Sequence, residues 1–571
     1  MGSWMWGRFV SSQINSLTTE RGNCKVSRGT RHPMGWGIVF DLLIFLADVS
    51  ERTAAMKKTD YWATPPKPRE QMVLFEDTLD SVVGGDDPVR LLLELLGMLD
   101  WSEWEQKYNG RIGKPPIHPK VLAGLLLHGL MEGIRSSRQL EKACRYRVDF
   151  MWLAEGFQPS HDTFCVFRRS FEEPLKALFI QVGLLAKSLN LVDLETVGYD
   201  ATRAKANNSR YNTGTLKKFN AELKDVTSQL DDLMAEMEQQ DADDHQRPKD
   251  DDDDLSAKRK ELEDRKNRLE SLRDEAESRD KARKKQRMGP GQVPRNDLDS
   301  RVMENKEGGF APNYTPTATT DGLFRIIVHA DVLNEVNETP GAIDGVEAIK
   351  EAFGEYPENF LTDAGNNSAA LLGALESKEI TVFAPVESSE PQPDSPVLRE
   401  DLSQPLTREQ AEELPRNNYG QFSPQCFVLN PDTNCLHCPA GKALPFEKKK
   451  SATVTVHRCH DWETCPFADL CVNKQSKAGR TVSRSIHHDA RERTHQRMKT
   501  DEGRSLYDKR PLIAETAFAI IKNVIGLRQF LLTGLPKVRI EWRWATIAYN
   551  LKIILREWND MRAHGTEMAA A

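Results

Sequence analysis

The sequence has no apolar run long enough to cross a bilayer; the longest, near Trp36 to Ala47, is about a dozen residues and contains Asp41. With 29% charged residues and a mean hydropathy of −0.57, a polytopic membrane protein is excluded. It has no glycine-rich loop leading into Lys-Ser or Lys-Thr, so nucleotide hydrolysis is not expected. It has no overall positive charge: the formal net charge is −8, which gives no global signature of nucleic-acid binding. The start of the chain lacks a basic region, a clean apolar core and a small-residue cleavage site, so a signal peptide is not expected. Cysteine is scarce outside one short stretch. Cys426, Cys435, Cys438, Cys459, Cys465 and Cys471 account for six of the nine, and this tight cluster points to metal rather than to a disulfide framework.

What is present divides 571 residues into several domains. Residues 1–55 carry scattered Trp without periodicity and read as a poorly structured extension, with an ordinary start at Met56-Lys57-Lys58. Residues 56–190 read as a helical DNA-binding domain. Its first helix is Lys120 to His128 behind Pro119, with Gly129 to Gly133 as the exit. Its second, from Ile134, has a capping box of Ser136 with Gln139 and a buried stripe of Leu140, Ala143 and Cys144. Arg135, Arg138, Lys142, Arg145 and Arg147 decorate the rest, and a third helix from Ser160 carries Arg168 and Arg169. Short helices, a glycine turn and a basic second helix suit a helix-turn-helix DNA reader; the plain alternative is a helical bundle with a solvated basic face.

Residues 215–290 read as a coiled-coil insertion. Leu216, Phe219, Leu223, Val226, Leu230, Leu233 and Met237 step by three and four. After an acidic break containing Asp250 to Asp254, Leu255, Leu262, Leu269 and Ala276 repeat every seven residues. Two such helices make an antiparallel hairpin or, alternatively, a dimerisation arm; the basic tail Lys281 to Arg287 is a further phosphate contact or simply a solvated run. Around this arm, strands are expected at Glu195–Ala201, Thr315–Asp321, Arg325–Leu333, Glu358–Asp363 and Ile380–Pro385, and helices at Gly341–Phe353 and Ser368–Ser377. Residues 191–214 and 291–387 thus form two parts of one mixed sheet with covering helices. Residues 388–505 read as a linker (388–415) followed by the cysteine-rich insertion, and 506–571 as a C-terminal helical part with a helix from Arg510 to Phe530.

Two acids end expected strands, Asp200 and Asp363, and Glu515 lies early in the late helix, with Tyr507, Arg510 and Lys522 around it. Hard carboxylate oxygens are what Mg²⁺ requires, and two such ions suit phosphodiester chemistry. Glu515 and Lys522 are seven apart and share a helical face.

These blocks resemble the bacterial insertion-sequence transposases of the DDE class. The resemblance runs from about residue 85 to the C-terminus. It is carried by Pro116 to Lys120, Gly133 to Glu141, Pro159 to Thr163, Phe167-Arg168, Asp200 to Ser209, Asp297 to Met303, Asn313-Tyr314, Leu361 to Gly365, Tyr507, Arg510, Glu515, Lys522, Gly526, Gly534 and Ala548 to Leu551. It implies a multidomain α/β protein: an RNase H-like mixed sheet with an inserted coiled-coil arm and an inserted Cys-rich segment, preceded by an all-α helix-turn-helix-type domain. It implies Asp200, Asp363 and Glu515 as ligands of Mg²⁺ or Mn²⁺, two ions in all, with Tyr507, Arg510 and Lys522 in support at the DNA end. It implies strand cleavage by water, then attack of the freed 3′-hydroxyl on target DNA. It favours Cys438, Cys459, Cys465 and Cys471 as ligands of a structural Zn²⁺, leaving Cys435, His437 and His460 as spares; buried reduced cysteines without metal are the alternative. Double-stranded DNA, both element ends and target, is the implied partner, bound by a homo-oligomer in the bacterial cytoplasm at the nucleoid, with no membrane. Asp321 is expected to be structural or to support the ligands. Two departures stand out: four residues rather than three separate Arg510 from Glu515, and Gly365 is followed by Asn366-Asn367 instead of leading to an aromatic. An inactive, transposase-derived DNA- and zinc-binding protein is the alternative function.

Overall fold

The computed structural model describes residues 78–108, 115–242, 250–285, 289–305, 308–388, 390–473 and 478–563. The expected extension 1–55 lies outside them. They make a multidomain α/β architecture of mixed sheets and helical segments. No helix among them is long and apolar enough to cross a membrane.

The central sheet is built on β1 (Thr196–Ala201), whose six residues are all buried. β2 (Ala204–Lys205) follows, then β3 (Thr213–Gly214), which pairs with β4 (Val293–Pro294) across the base of the arm. β5 (Arg301–Glu304), β6 (Phe310–Asp321) and β7 (Ile327–Leu333) continue the sheet beyond the arm, and β8 (Asn359–Leu361) and β9 (Thr381–Phe383) complete it. β6 lies antiparallel between β7 and β1, while β1, β8 and β9 run parallel. Buried apolar and β-branched runs of this kind suit strands covered on both faces. The helix Thr339–Phe353 covers one face, with Gly341 beneath the Tyr199 hydroxyl, where a Cβ would stand 2.9 Å away. The last helix, Leu535–Ala563, is fastened to the sheet edge by Asn550, whose carboxamide accepts from Ile327 N at 2.9 Å and donates to Ile327 O at 2.8 Å. Tyr549 Oη donates to Arg325 O, and Trp542 Nε1 to Thr317 O. These bonds give the Ala548 to Leu551 block a structural purpose.

The N-terminal segment is helical. The helix Pro119–Met131 runs through Gly129 rather than ending there, because the Leu140 side chain fills the place of a Cβ at Gly129; the turn is made by Gly133, at φ +74°. Ser136 is the N-cap of Ser137–Tyr146, but its hydroxyl makes no capping bond and Gln139 is exposed, so the expected capping box does not form. Trp104, Phe167 and Phe171 pack around Trp544 of the last helix, joining these helices to the sheet's covering layer.

The arm consists of helices Leu216–Ala242 and Asp250–Lys285, so Asp250 to Asp254 lie in the second helix rather than in a break. Phe219, Leu223, Val226 and Leu230 are buried against Leu269, Leu272 and Ala276. The apolar seam is therefore used up within the pair of helices, which favours a hairpin over a dimerisation arm.

Two small sheets follow, β10 (Val428–Asn430), β11 (Cys435–His437) and β12 (Ala443–Leu444), then β13 (Phe446–Ser451), β14 (Val454–Arg458) and β15 (Thr481–Ser485). Val397, Leu406, Ala411 and Leu414, from the stretch expected as a linker, are buried in the same cluster as the cysteines. Helices then begin at His488, not Arg510: His488–Lys499 and Asp501–Tyr507 precede the late motif. The expected helix Arg510–Phe530 is instead a π-helical turn, Pro511–Glu515, followed by Thr516–Asn523 and a loop between Gly526 and Gly534, both at positive φ.

Candidate active site

β1 and β8 are parallel neighbours with Gly198 opposite Leu361, so Asp200 and Asp363, each two residues further on, leave the same end of adjacent strands. Asp321 pairs with Val197 at the opposite end of β1. It is fully buried and accepts from Leu194 N and Leu323 N at 2.9 Å, which makes it a structural anchor between two loops.

Glu515 reaches this end of the sheet through the π-helical turn. Such a turn holds one residue more than an α-helical turn. The extra residue between Arg510 and Glu515 is absorbed there, and Arg510 Nη1 still donates to Glu515 Oε1 at 3.0 Å. The same guanidinium stands 3.5 Å from Asp200 Oδ1 by its Nη2. Arg510 is buried and lies between the two carboxylates. The turn seats on β1 because residue 198 has no side chain: a Cβ there would meet Ile513 Cγ2 at 2.9 Å and Ala514 Cβ at 3.0 Å. Lys522, one helical turn and more beyond, donates to the Thr202 hydroxyl, two residues past Asp200. Tyr507 packs with Leu361, Phe383 and Ile513. Burial raises its phenol pKa; Arg510 opposes the shift, and the carboxylates of Asp363, Glu515 and Asp200 add to it.

Asp363 caps the short turn Ala364–Asn366, its Oδ1 accepting from Gly365 N at 3.0 Å and Asn366 N at 3.1 Å. The buried Asn366 adds its side-chain Nδ2 at 3.2 Å, and Asn367 Nδ2 donates to Pro385 O at 2.7 Å. The two asparagines in place of the usual continuation thus hold the Asp363 turn. Sequence reasoning gave no role to Gly198, Thr202 or Asn366. The first lay in an expected strand, the second in the Asp200 to Ser209 block, and the third was noted only as a departure; nothing in the pattern says what they touch.

The expected DNA-binding side chains fare differently. Arg135 donates to Gly526 O at 2.7 Å and Gln529 O at 2.6 Å and pairs with Glu541 at 2.8 Å, tying the helical segment to the loop after the late motif. Arg168 donates to Arg135 O at 3.1 Å. Arg147 pairs with Asp149 at 2.6 Å and Glu132 at 2.9 Å, and Arg145 with Glu141 at 2.7 Å. Arg138 and Lys142 are exposed and make no ion pair among the described residues.

Cys438, Cys459, Cys465 and Cys471 are free thiols of one cluster. Burial first, and then their proximity to one another, pushes Cys438 up to about 11 and Cys471 up to about 12, and raises Cys459. Cys426 lies in the same buried cluster and donates to Pro415 O, while Cys435 lies outside it and donates to Thr433 O, each at 3.4 Å. His437 Nδ1 is buried without a partner, and His460 is exposed. Soft thiolates suit Zn²⁺ and the three carboxylates suit Mg²⁺. In chemistry both donor sets fit, though nowhere among the described residues do three His, Cys, Asp or Glu side chains stand at coordinating distance.

Residues 77–170 match the family described as Transposase domain (DUF772), and residues 437–555 match the Transposase DDE domain. Two separate segments of the chain are thus similar to transposase domains. The first match spans all six expected DNA-binding residues of the helical segment. The second spans the four clustered cysteines and Tyr507, Arg510, Glu515 and Lys522, but neither Asp200, which Arg510 links to Glu515, nor Asp363 on the neighbouring strand. No curated protein matches the chain.

Proposed function

We propose that the chain is a DDE transposase, cleaving DNA at the ends of an insertion sequence and transferring the freed strand to target DNA. The observation that carries this reading is the meeting, through Arg510, of Glu515 with the strand end that bears Asp200 beside Asp363. The strand arrangement, an antiparallel β7–β6–β1 run joined to parallel β8 and β9, supports an RNase H-like core. When bound, two Mg²⁺ or Mn²⁺ ions would activate the attacking oxygen and stabilise the leaving one. Asp200, Asp363 and Glu515 are the residues that would hold them. Asn366 and the turn at Gly365 fix the Asp363 carboxylate before any DNA arrives. Arg510 balances the charge between Asp200 and Glu515, Lys522 carries a cation to the rim beside Thr202, and the Tyr507 phenol donates towards the DNA strand. The four clustered thiols would hold a structural Zn²⁺, and the helical N-terminal segment would carry a helix-turn-helix contact to the double-stranded ends, with the chain acting as a homo-oligomer on DNA.

The test is cleavage and joining of a duplex carrying the sequences that flank the coding region, with Mg²⁺ or Mn²⁺. Metal-dependent nicking at a fixed position is the expected result. Duplex binding without any cleavage would replace the enzyme with the DNA- and zinc-binding descendant.

A further inference from the structure

The edge strand β13, Phe446-Glu-Lys-Lys-Lys-Ser451, is exposed at every position. Lys448, Lys449 and Lys450 are consecutive and form no ion pair with any described residue. Glu447, the one acid on the strand, is taken by Arg458 at 2.7 Å. The neighbouring strands bring no further acid: β14 reads Val-Thr-Val-His-Arg and β15 Thr-Val-Ser-Arg-Ser. Thr455 and Arg484 lie in register with Lys449, and Ser483 with Lys448 through Val456. Register shifts at both ends of the lysine run bend the strand, as bulges do. The result is a bent, exposed sheet edge carrying lysine and small hydroxyl side chains, on a chain whose net charge is −8.

We infer that this edge is a second DNA-contacting surface, taking the phosphate backbone of a duplex apart from the N-terminal helices. The inference rests on the proposed transposase reading, because that reading supplies DNA as the ligand. Lysines and hydroxyls are the groups that contact phosphate oxygens, and β13 presents its lysines at the edge of the three-stranded sheet. The competing account is that lysines on an edge strand only prevent pairing with another chain. That account predicts no effect on DNA binding and a gain in self-association when they are removed.

The experiment compares the full chain with its Lys448→Ala/Lys449→Ala/Lys450→Ala variant on a random-sequence duplex over a range of salt. Each neutralised phosphate contributes about 0.9 to the slope of log affinity against log salt. The variant's slope should therefore be shallower by roughly 3, its affinity near 0.1 M salt lower by at least about tenfold, and its melting temperature unchanged. The triple Lys→Arg variant should bind as wild type does. An unchanged slope in a well-folded alanine variant, with or without self-association, overturns the inference and leaves the transposase reading standing. A wild-type chain that binds no duplex at all overturns both.

Discussion

Gly198→Ala perturbs the candidate site without touching any of its charged groups. A methyl at this position meets Ile513 Cγ2 at 2.9 Å, Ala514 Cβ at 3.0 Å and Ala514 N at 3.2 Å, all from the π-helical turn. Ordinary contact begins near 3.4 Å, so the turn must retreat by about 0.5 Å. Two of the three atoms belong to the backbone or to a Cβ, and no rotamer change relieves them. Overpacking of this kind costs about 1–3 kcal/mol, and replacing a strand glycine by alanine returns about 0.5–1 kcal/mol of that. A net loss of about 1–2 kcal/mol is expected. Glu515 ends the displaced turn, and since a misplacement of about 1 Å costs about a hundredfold in rate, cleavage should fall by roughly ten- to a hundredfold. Urea melts and DNA cleavage on the same preparation measure both. Gly97→Ala is the control: it lies in the exposed last turn of a helix with nothing within 4 Å of the new methyl, and should leave cleavage unchanged. Unaltered cleavage and stability in Gly198→Ala would mean that the turn is not seated on β1, and the geometric argument for Glu515 would go with it.

Arg138→Ala/Lys142→Ala should flatten the salt dependence of duplex binding by about 2, whereas Arg135→Ala should lower the melting temperature, because its partners are Gly526, Gln529 and Glu541. The reverse pattern, read from binding isotherms and melts, would return Arg135 to the DNA surface. Burial raises the Asp321 carboxyl pKa from 3.8 to about 6, so the fold favours its protonated form. That contribution is full below the unfolded value and is lost as pH rises through about 6. From pH 4 to 7, wild type should therefore lose up to about 3 kcal/mol relative to Asp321→Asn, measured by urea melts at each pH. A constant difference would contradict it. Native mass spectrometry should find about one Zn²⁺ per chain, lost in Cys471→Ser but kept in Cys435→Ser. Because Cys438 and Cys471 are protonated without metal, the affinity should rise with pH.

Much of the central sheet was legible in the sequence because its strands are buried runs bounded by turn residues: β1, β7, β8 and β9 fall within the expected spans, while β6 begins at Phe310, ahead of the expected Thr315. The arm was legible from its heptads. The helix His488–Lys499 was not: its sequence, His-Asp-Ala-Arg-Glu-Arg-Thr-His-Gln-Arg-Met-Lys, has no apolar stripe, and polar ties such as Arg497 to Val382 O and His495 to Val386 O hold it in place. The small sheets β10 to β15 escaped notice because the cysteines dominated that stretch. The three carboxylates are assigned from block order alone. The π-helical turn that aligns Glu515 could not be read from the sequence, since no residue preference marks it; only the extra residue after Arg510 hinted at it. Arg135 reads as a surface residue of a basic helix, so its half-buried contacts with a loop nearly 400 residues away, made from just ahead of that helix, were invisible.

The most direct measurement is strand cleavage by Glu515→Gln, on a duplex bearing the flanking sequences with Mg²⁺ or Mn²⁺, alongside binding of the same duplex. The substitution keeps size and hydrogen bonding and removes the charge. Cleavage and joining should fall by several orders of magnitude while binding persists. Asp200→Asn and Asp363→Asn should lose as much, and their combination with Glu515→Gln little more, because groups acting as one unit are not additive. Full cleavage by Glu515→Gln would contradict the proposed active site.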